Sequence, residues 1–227
     1  AFFETDSQKI LEALPSLQQQ FAPFFSNQAE AQFWQRQRTE PLQMDLYAKV
    51  QQVFGGMEAW EEPVNRLFKA YYHYFGTADT LQFYTYISRL DFNYPVVFAP
   101  PYVFAGLDLY LGELGQEYYQ SLPQYLQYHR QAGFLLRDIA VNMVEAKVGP
   151  ASPDASLLEA MLHHGKVLYT AHLMLPELKE ADLLVYPPEK HLFAQEHEKD
   201  MWIYFIENQL LFSSSMELKR QFVEVAP

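Results

Sequence analysis

Apolar side chains recur at helical intervals through the first third of the chain. In the segment 7–25 these positions are Ile10, Leu11, Leu14, Leu17, Phe21 and Phe24. This spacing predicts a helix or a broken helical pair, with a kink or boundary at Pro15. A longer helical region is predicted over residues 42–75, interrupted at Gly55, Gly56 and Pro63. We therefore expect residues 1–79 to form a helical N-terminal part.

From residue 80 the hydrophobic period changes to two. Residues 81–88 alternate in side-chain character, and residues 96–99 form a short apolar run. Pro100 and Pro101 interrupt the pattern, and residues 103–111 then alternate again up to Gly112. Three consecutive strands predict a small antiparallel sheet of three to four strands over residues 80–112.

The remaining segment, residues 113–227, has the periodicity of helices. They are predicted over residues 122–131, 134–148, 156–175 and 188–211, with Pro123 and Pro188 in first turns. Helices on both sides of a compact sheet indicate the α+β class, mainly helical. With 227 residues and 49% hydrophobic positions, the chain is long enough to bury one core, so we expect residues 1–227 to form a single domain.

Composition removes several classes of function. The formal net charge of −12 would repel a phosphate backbone, so nucleic acid is not an expected partner. The chain contains no Cys, which excludes disulfides, thiol catalysis and thiolate metal sites. No apolar run approaches the roughly 20 residues that span a bilayer, and the first residues lack the pattern of a secretion signal. We expect any signal or lipid-bearing Cys to lie outside this sequence.

Sequence motifs of catalysis are missing as well. There is no glycine-rich phosphate loop, no Gly-x-Ser-x-Gly turn and no His-Glu-x-x-His helix, so no cofactor is predicted. Glu159 and His163 are one helical turn apart and could share a face, with His164 beside them. Such a pair is more often an ordinary surface feature.

One polar pattern stands out on an otherwise apolar helix. Asp138, Asn142 and Glu145 follow one side of the helix predicted over residues 134–148. If that side is buried, each group needs a partner, because an unpaired buried polar group costs about 1–3 kcal/mol.

Several segments carry a resemblance to a known family. They comprise residues 84–88, 95–98, 104–112, 119–125, 157–161, 202–208 and 222–227, together with Arg137, Asp138, Asn142, Gly165, Lys166, Tyr169, Leu175 and Pro176. Taken in chain order, they resemble the gliding-motility lipoprotein B family over about residues 80–227. Residues 1–79 fit that family only in being helical. The resemblance implies a periplasmic, lipid-anchored lipoprotein of the cell envelope, needed for gliding and associated protein secretion.

The same resemblance implies a distant relation to gluzincin-like zinc peptidases. On that superposition Asp138 and Asn142 stand where the two imidazoles would be, His164 replaces the third ligand, and Ile139 replaces the general base. An Ile cannot take a proton from water, and an Asn is a poor zinc ligand. The expected fold is zincin-like without an intact metal motif, in which Asp138 and Asn142 form hydrogen bonds to the edge strand or to His164.

Three functions follow as hypotheses. The first is a non-enzymatic scaffold, with no catalytic residues and no bound metal, that binds other envelope motility or secretion proteins and reaches the membrane only through a lipid anchor outside this chain. The second is a divergent metal-dependent hydrolase or peptidase that uses Glu145, Glu159, His163 and His164. The third is a small-ligand binder with a pocket lined by aromatic side chains of the sheet. The family pattern usually continues after Pro227 with a further helix, so we also expect a tail to be missing and part of the core to be uncovered.

Overall fold

The architecture is a small sheet packed among helices. The computed structural model describes residues 2–6, 9–22, 24, 31–76 and 80–224. Helices precede and follow three strands, in the order α1 (Ile10–Gln20), α2 (Ala31–Thr39), α3 (Pro41–Phe54), α4 (Glu58–Phe75), β1 (Gln82–Tyr86), β2 (Val96–Ala99), β3 (Tyr102–Gly106), α5 (Gln116–Tyr119), α6 (Gln124–His129), α7 (Leu135–Val148), α8 (Leu157–Met174), α9 (Glu180–Leu183), α10 (Pro188–Glu207) and α11 (Met216–Lys219). The mainly helical α+β class is confirmed. Of the helix predicted over residues 7–25, residues 7, 8, 23 and 25 lie outside the described residues.

The sheet is mixed rather than antiparallel. Its strand order is β1-β3-β2, with β1 parallel to β3 and β2 antiparallel to β3. The prediction of an antiparallel sheet was therefore wrong for β1. In a meander β3 would pair only with β2. Here β3 also pairs with β1, and these two strands run in the same direction. Alternation of side chains describes a single strand and carries no information about which neighbour it pairs with.

The third strand is also shorter than its alternation predicts. It ends at Gly106, and a 3-10 turn follows at Leu107–Leu109. Asp108 lies in this turn and is fully buried, and its carboxylate accepts hydrogen bonds from the backbone N–H groups of Ser88 and Leu90 at 2.7 and 2.8 Å. These bonds connect the turn to the segment that follows β1.

One continuous apolar core joins the sheet to α3, α4, α7 and α8. A second, smaller cluster holds α1 through Ile10, Leu14 and Leu17. The break predicted at Gly55 is confirmed, since α3 ends at this glycine, which has a positive φ angle. The boundary predicted at Pro15 and the interruption predicted at Pro63 were wrong, because both prolines lie inside continuous helices. The alternative of a kink at Pro15 stays a prediction.

The helix α10 packs little of its surface against the rest of the fold. It has no buried residue, although it begins at Pro188 as predicted. Near its C-terminal end large apolar side chains are exposed: Trp202, Ile203, Tyr204 and Ile206, followed by Phe212 with 81% of its surface accessible. The described part of the chain therefore exposes several large apolar side chains at and just after the C-terminal end of α10. No helix among the described residues is long and apolar enough to cross a membrane.

Candidate functional site

The candidate site is built around helix α7, which lies against α4, α8 and the strands β2 and β3. Buried apolar positions such as Ile139, Met143 and Val144 anchor this helix in the core. The side chain of Asp138, on the same helix, is buried as well. Buried carboxylates are unusual and need partners, because burying an unpaired charge is costly.

Three side chains bind the Asp138 carboxylate. The hydroxyl of Tyr110 donates to Oδ2 at 2.7 Å, and Nη1 of Arg137 donates to Oδ1 at 3.0 Å. Nε2 of His129 lies 2.8 Å from the same Oδ1. Arg137 is itself held in place, because its Nε donates to the backbone oxygen of Leu183 at 2.9 Å. Both oxygens of Asp138 are thus engaged inside the fold.

This network shifts two pKa values in opposite directions. Burial opposes ionisation of Asp138, but the neighbouring His129 and Arg137 and the Tyr110 hydrogen bond outweigh it and hold the pKa of the carboxyl below its ordinary value. Burial, together with the Asp138 charge, raises the pKa of Tyr110 well above its ordinary value. The stable arrangement is therefore an ionised Asp138 beside a neutral Tyr110.

Asn142, one helical turn after Asp138, closes the outer edge of β2. Its Oδ1 accepts the backbone N–H of Phe98 at 2.8 Å. One side of β2 pairs with β3, and the backbone N–H of Phe98 points to the opposite side. Without Asn142 this N–H would have no hydrogen-bond partner in the sheet. The expected hydrogen bond from Asn142 to the edge strand is confirmed. For Asp138 the same expectation was wrong, because its three partners are Tyr110, His129 and Arg137.

The remaining predicted residues do not gather around Asp138. Glu159 caps the start of α8, where it and Ser156 form a reciprocal capping box. His164 is half-buried, and its pKa is lowered by burial and by the nearby charges of Arg137 and His163. Desolvation by neighbouring groups raises the pKa of Glu145, although the positive charge of Arg137 opposes this rise. Across the described ranges, no three His, Asp or Glu side chains come together as a metal ion would require.

Sequence reasoning missed Tyr110, His129 and Arg137 as members of this network. Tyr110 lies within the alternation of residues 103–111 and was assigned to the opposite side from Leu109, yet both are fully buried. Arg137 is adjacent to Asp138 in the sequence, but neighbouring residues on a helix do not normally face each other, so this adjacency did not predict the pair. Nothing in the sequence marked His129.

The comparison with protein families matches the whole chain. The model described as gliding motility protein GldB covers residues 1–227. The chain belongs to this family. The match includes residues 1–79, which the sequence motifs alone did not reach. No curated protein and no solved structure gives a significant match.

Membership in the family fixes the broad role of the protein. It assigns the chain to the lipoproteins of gliding motility and therefore to the cell envelope.

Proposed function

We propose that this chain is a non-enzymatic scaffold of the periplasm that binds other motility or secretion proteins, on a peptidase-like fold whose metal site has degenerated. The proposal rests mainly on one observation, namely that Asp138 and Asn142 use their acceptor oxygens within the fold. Asp138 binds Tyr110, His129 and Arg137, while Asn142 binds the edge of β2. A carboxylate with both oxygens engaged and a positive Arg137 beside it is poorly suited to bind a divalent cation.

The position expected for the general base supports the same proposal. Ile139 is fully buried in the apolar core, where it takes part in packing. A hydrolase of this kind needs a group that accepts a proton from a metal-bound water, and Ile has none.

The surface supports a binding role. Exposed aromatic and aliphatic side chains at the end of α10, including Trp202 and Tyr204, offer the large apolar area that anchors protein interfaces. The net charge of −12 favours partners with basic surfaces over nucleic acid. In this proposal the partners are other envelope motility or secretion proteins, and a lipid anchor holds the scaffold at the membrane.

The alternative of a divergent metal-dependent hydrolase gains no support from the geometry. It requires Glu145, Glu159, His163 and His164 to converge on one ion. Glu159 instead accepts hydrogen bonds from the backbone and hydroxyl of Ser156 at the exposed start of α8. This alternative is nevertheless open to direct test.

The test is the metal content of the protein, measured by mass spectrometry after purification without chelator, together with thermal unfolding before and after addition of zinc. The scaffold proposal expects less than stoichiometric zinc and no rise of the melting temperature. Stoichiometric zinc with a rise that His163→Ala or His164→Ala abolishes would overturn it. The matched control is His197→Ala, which removes an exposed imidazole of α10 that lies near Asp200. A zinc effect that all three variants keep equally would indicate adventitious binding at other positions.

A further inference from the structure

Among the described residues, no strand pairs with the outer edge of β1. It is the first strand in the order β1-β3-β2, and its Gln82 N–H donates to the oxygen of Pro101 at 2.8 Å, toward β3. Backbone groups of a strand point alternately to its two sides, so those of Phe83 and Thr85 face away from β3. No group in the described part of the chain bonds to either of these N–H groups.

A groove lies along this edge, between β1 and helix α4. Its volume is about 430 Å³. Met57, Trp60 and Val64 form the apolar wall on the side of α4, and Phe83 and Thr85 line the opposite side. Glu61 also lines the groove, and among the described residues its carboxylate has no hydrogen-bond or ion-pair partner. The groove thus combines an apolar wall, a free strand edge and one carboxylate.

The other edge of the sheet is closed by comparison. On β2 the outward N–H of Phe98 is bonded to Asn142, so an added strand there would have to displace that side chain. Free edges are normally protected, because exposed strand backbone recruits other chains. The difference between the two edges singles out β1 as the place where a further strand can be added.

We propose that the outer edge of β1 binds an extended segment of a partner protein, which adds a fourth strand to the sheet. The segment places apolar side chains against Trp60 and Val64 and a basic side chain beside Glu61. This inference deepens the scaffold role proposed above and rests on it, because it names the kind of segment that the scaffold holds.

The arrangement of unpaired groups favours a polypeptide over a small ligand. Phe83 and Thr85 each offer one N–H and one C=O, in two sets about 6.6 Å apart along the strand. Another extended backbone repeats its own donors and acceptors at the same interval, so it can satisfy both sets at once. Side chains of the added strand alternate, and every second one then faces the wall of α4. Charge complementarity with Glu61 selects a basic residue at one of these positions.

The probe is a synthetic, end-capped, fluorescein-labelled peptide with the sequence Thr-Val-Thr-Lys-Thr-Val-Thr. Its Val and Lys side chains share one face, as the groove requires, and its Thr side chains keep it soluble. Two further versions carry N-methyl groups, either on the Val and Lys residues or on the alternate Thr residues. Strand addition uses the backbone amides of only one of these sets, so one methylated peptide should lose binding while the other retains it. Binding is measured by fluorescence polarisation.

Variants of the protein test the same edge of β1 by changing the groove instead of the peptide. Thr85→Pro removes an outward N–H that takes no part in the ladder, and proline is tolerated at such edge positions. We expect it to weaken binding about tenfold relative to Thr85→Val, which keeps the N–H. Glu61→Gln should weaken binding of the lysine peptide about threefold. A peptide with Glu in place of Lys should bind the Glu61→Gln protein no more weakly than it binds the wild type. Circular dichroism confirms that each variant is folded.

Amide hydrogen exchange of the unmodified protein gives a readout that does not depend on folding of a variant. With saturating lysine peptide, the amides of Phe83 and Thr85 should become protected, while that of Phe98 stays unchanged. Equal binding of both methylated peptides, unprotected amides at both positions, or no binding of the lysine peptide at millimolar concentration would each overturn the inference. Because the zinc experiment does not involve β1, a failure of strand addition and a failure of the scaffold proposal give distinguishable results.

Discussion

The buried carboxylate of Asp138 offers the sharpest test of the structure. Replacing it with Ala removes the acceptor that serves Tyr110, His129 and Arg137. The side chain of Arg137 has only 7% of its surface exposed, so water cannot take over the role of the carboxylate. Asp138→Ala should therefore leave a buried positive charge and a buried hydroxyl without their partner.

The expected loss follows from the chemistry of that site. Removing one member of a buried ion pair costs about 3–5 kcal/mol of the free energy of unfolding. The lost Tyr110 hydrogen bond does not add fully, because all three donors share one acceptor. We expect a loss of about 4 kcal/mol for Asp138→Ala. Asp138→Asn keeps the shape and one acceptor oxygen, so its loss should be clearly smaller.

The pH dependence of this loss has a definite sign. The pKa of Asp138 is lowered in the fold from its ordinary value of 3.8. Its ionised form therefore contributes stability that is complete above the ordinary pKa and is lost as the pH falls through the folded pKa. The difference in stability between wild type and Asp138→Ala should therefore narrow as the pH falls below about pH 4.

Urea unfolding followed by circular dichroism measures these differences. The control is Asp154→Ala, which removes an exposed carboxylate in the loop between α7 and α8 and should change stability by less than about 0.5 kcal/mol. A loss for Asp138→Ala below about 1 kcal/mol, or a difference that does not narrow in acid, would refute the network as described.

Three further variants test other contacts of the fold. Asn142→Ala removes the acceptor of the Phe98 N–H, so we expect a loss of about 1–3 kcal/mol in urea unfolding and faster hydrogen exchange at that amide. Ser156→Ala removes the N-cap of α8 and should cost about 1 kcal/mol, seen as a lower melting temperature. Tyr119→Phe removes a buried hydroxyl that donates to the backbone oxygen of Asp108, and we expect a loss of about 1–3 kcal/mol by urea unfolding.

Exposed positions of similar chemistry serve as controls for these variants. Asn93→Ala and Ser121→Ala remove polar groups from the surface and should each change stability by less than about 0.5 kcal/mol. An Asn142→Ala protein as stable as Asn93→Ala, with unchanged exchange at Phe98, would mean that Asn142 does not close the edge of β2. Equal melting temperatures of Ser156→Ala and Ser121→Ala would contradict the capping box.

The helices were the most predictable part of this fold. The segment predicted over residues 156–175 is observed as Leu157–Met174, and Pro188 begins α10 as expected. These features depend on neighbours within a few positions, such as the cap at Ser156, which the sequence contains directly. The three strands were also located near their observed positions, because alternation is equally local.

The candidate site was predictable only in part. The polar pattern of Asp138 and Asn142 on an apolar helix indicated a buried site that needs partners, and the bond from Asn142 to an edge strand was expected. The partners of Asp138 were not. Tyr110 lies 28 residues away along the chain and His129 lies 9 away, with no motif that connects them to the helix.

The sequence by itself determined where helices and strands form, which faces are apolar, and which family the chain resembles. Only the tertiary structure decided that β1 pairs in parallel with β3, that an ionised Asp138 is paired inside the core, and that, among the described residues, a side chain closes one sheet edge while the other edge has no partner. The physical reason is the distance along the chain over which the deciding contacts form. Helical and strand periods are set by contacts within a few residues, whereas hydrogen bonds between elements depend on how distant segments pack, and packing is a property of the whole chain.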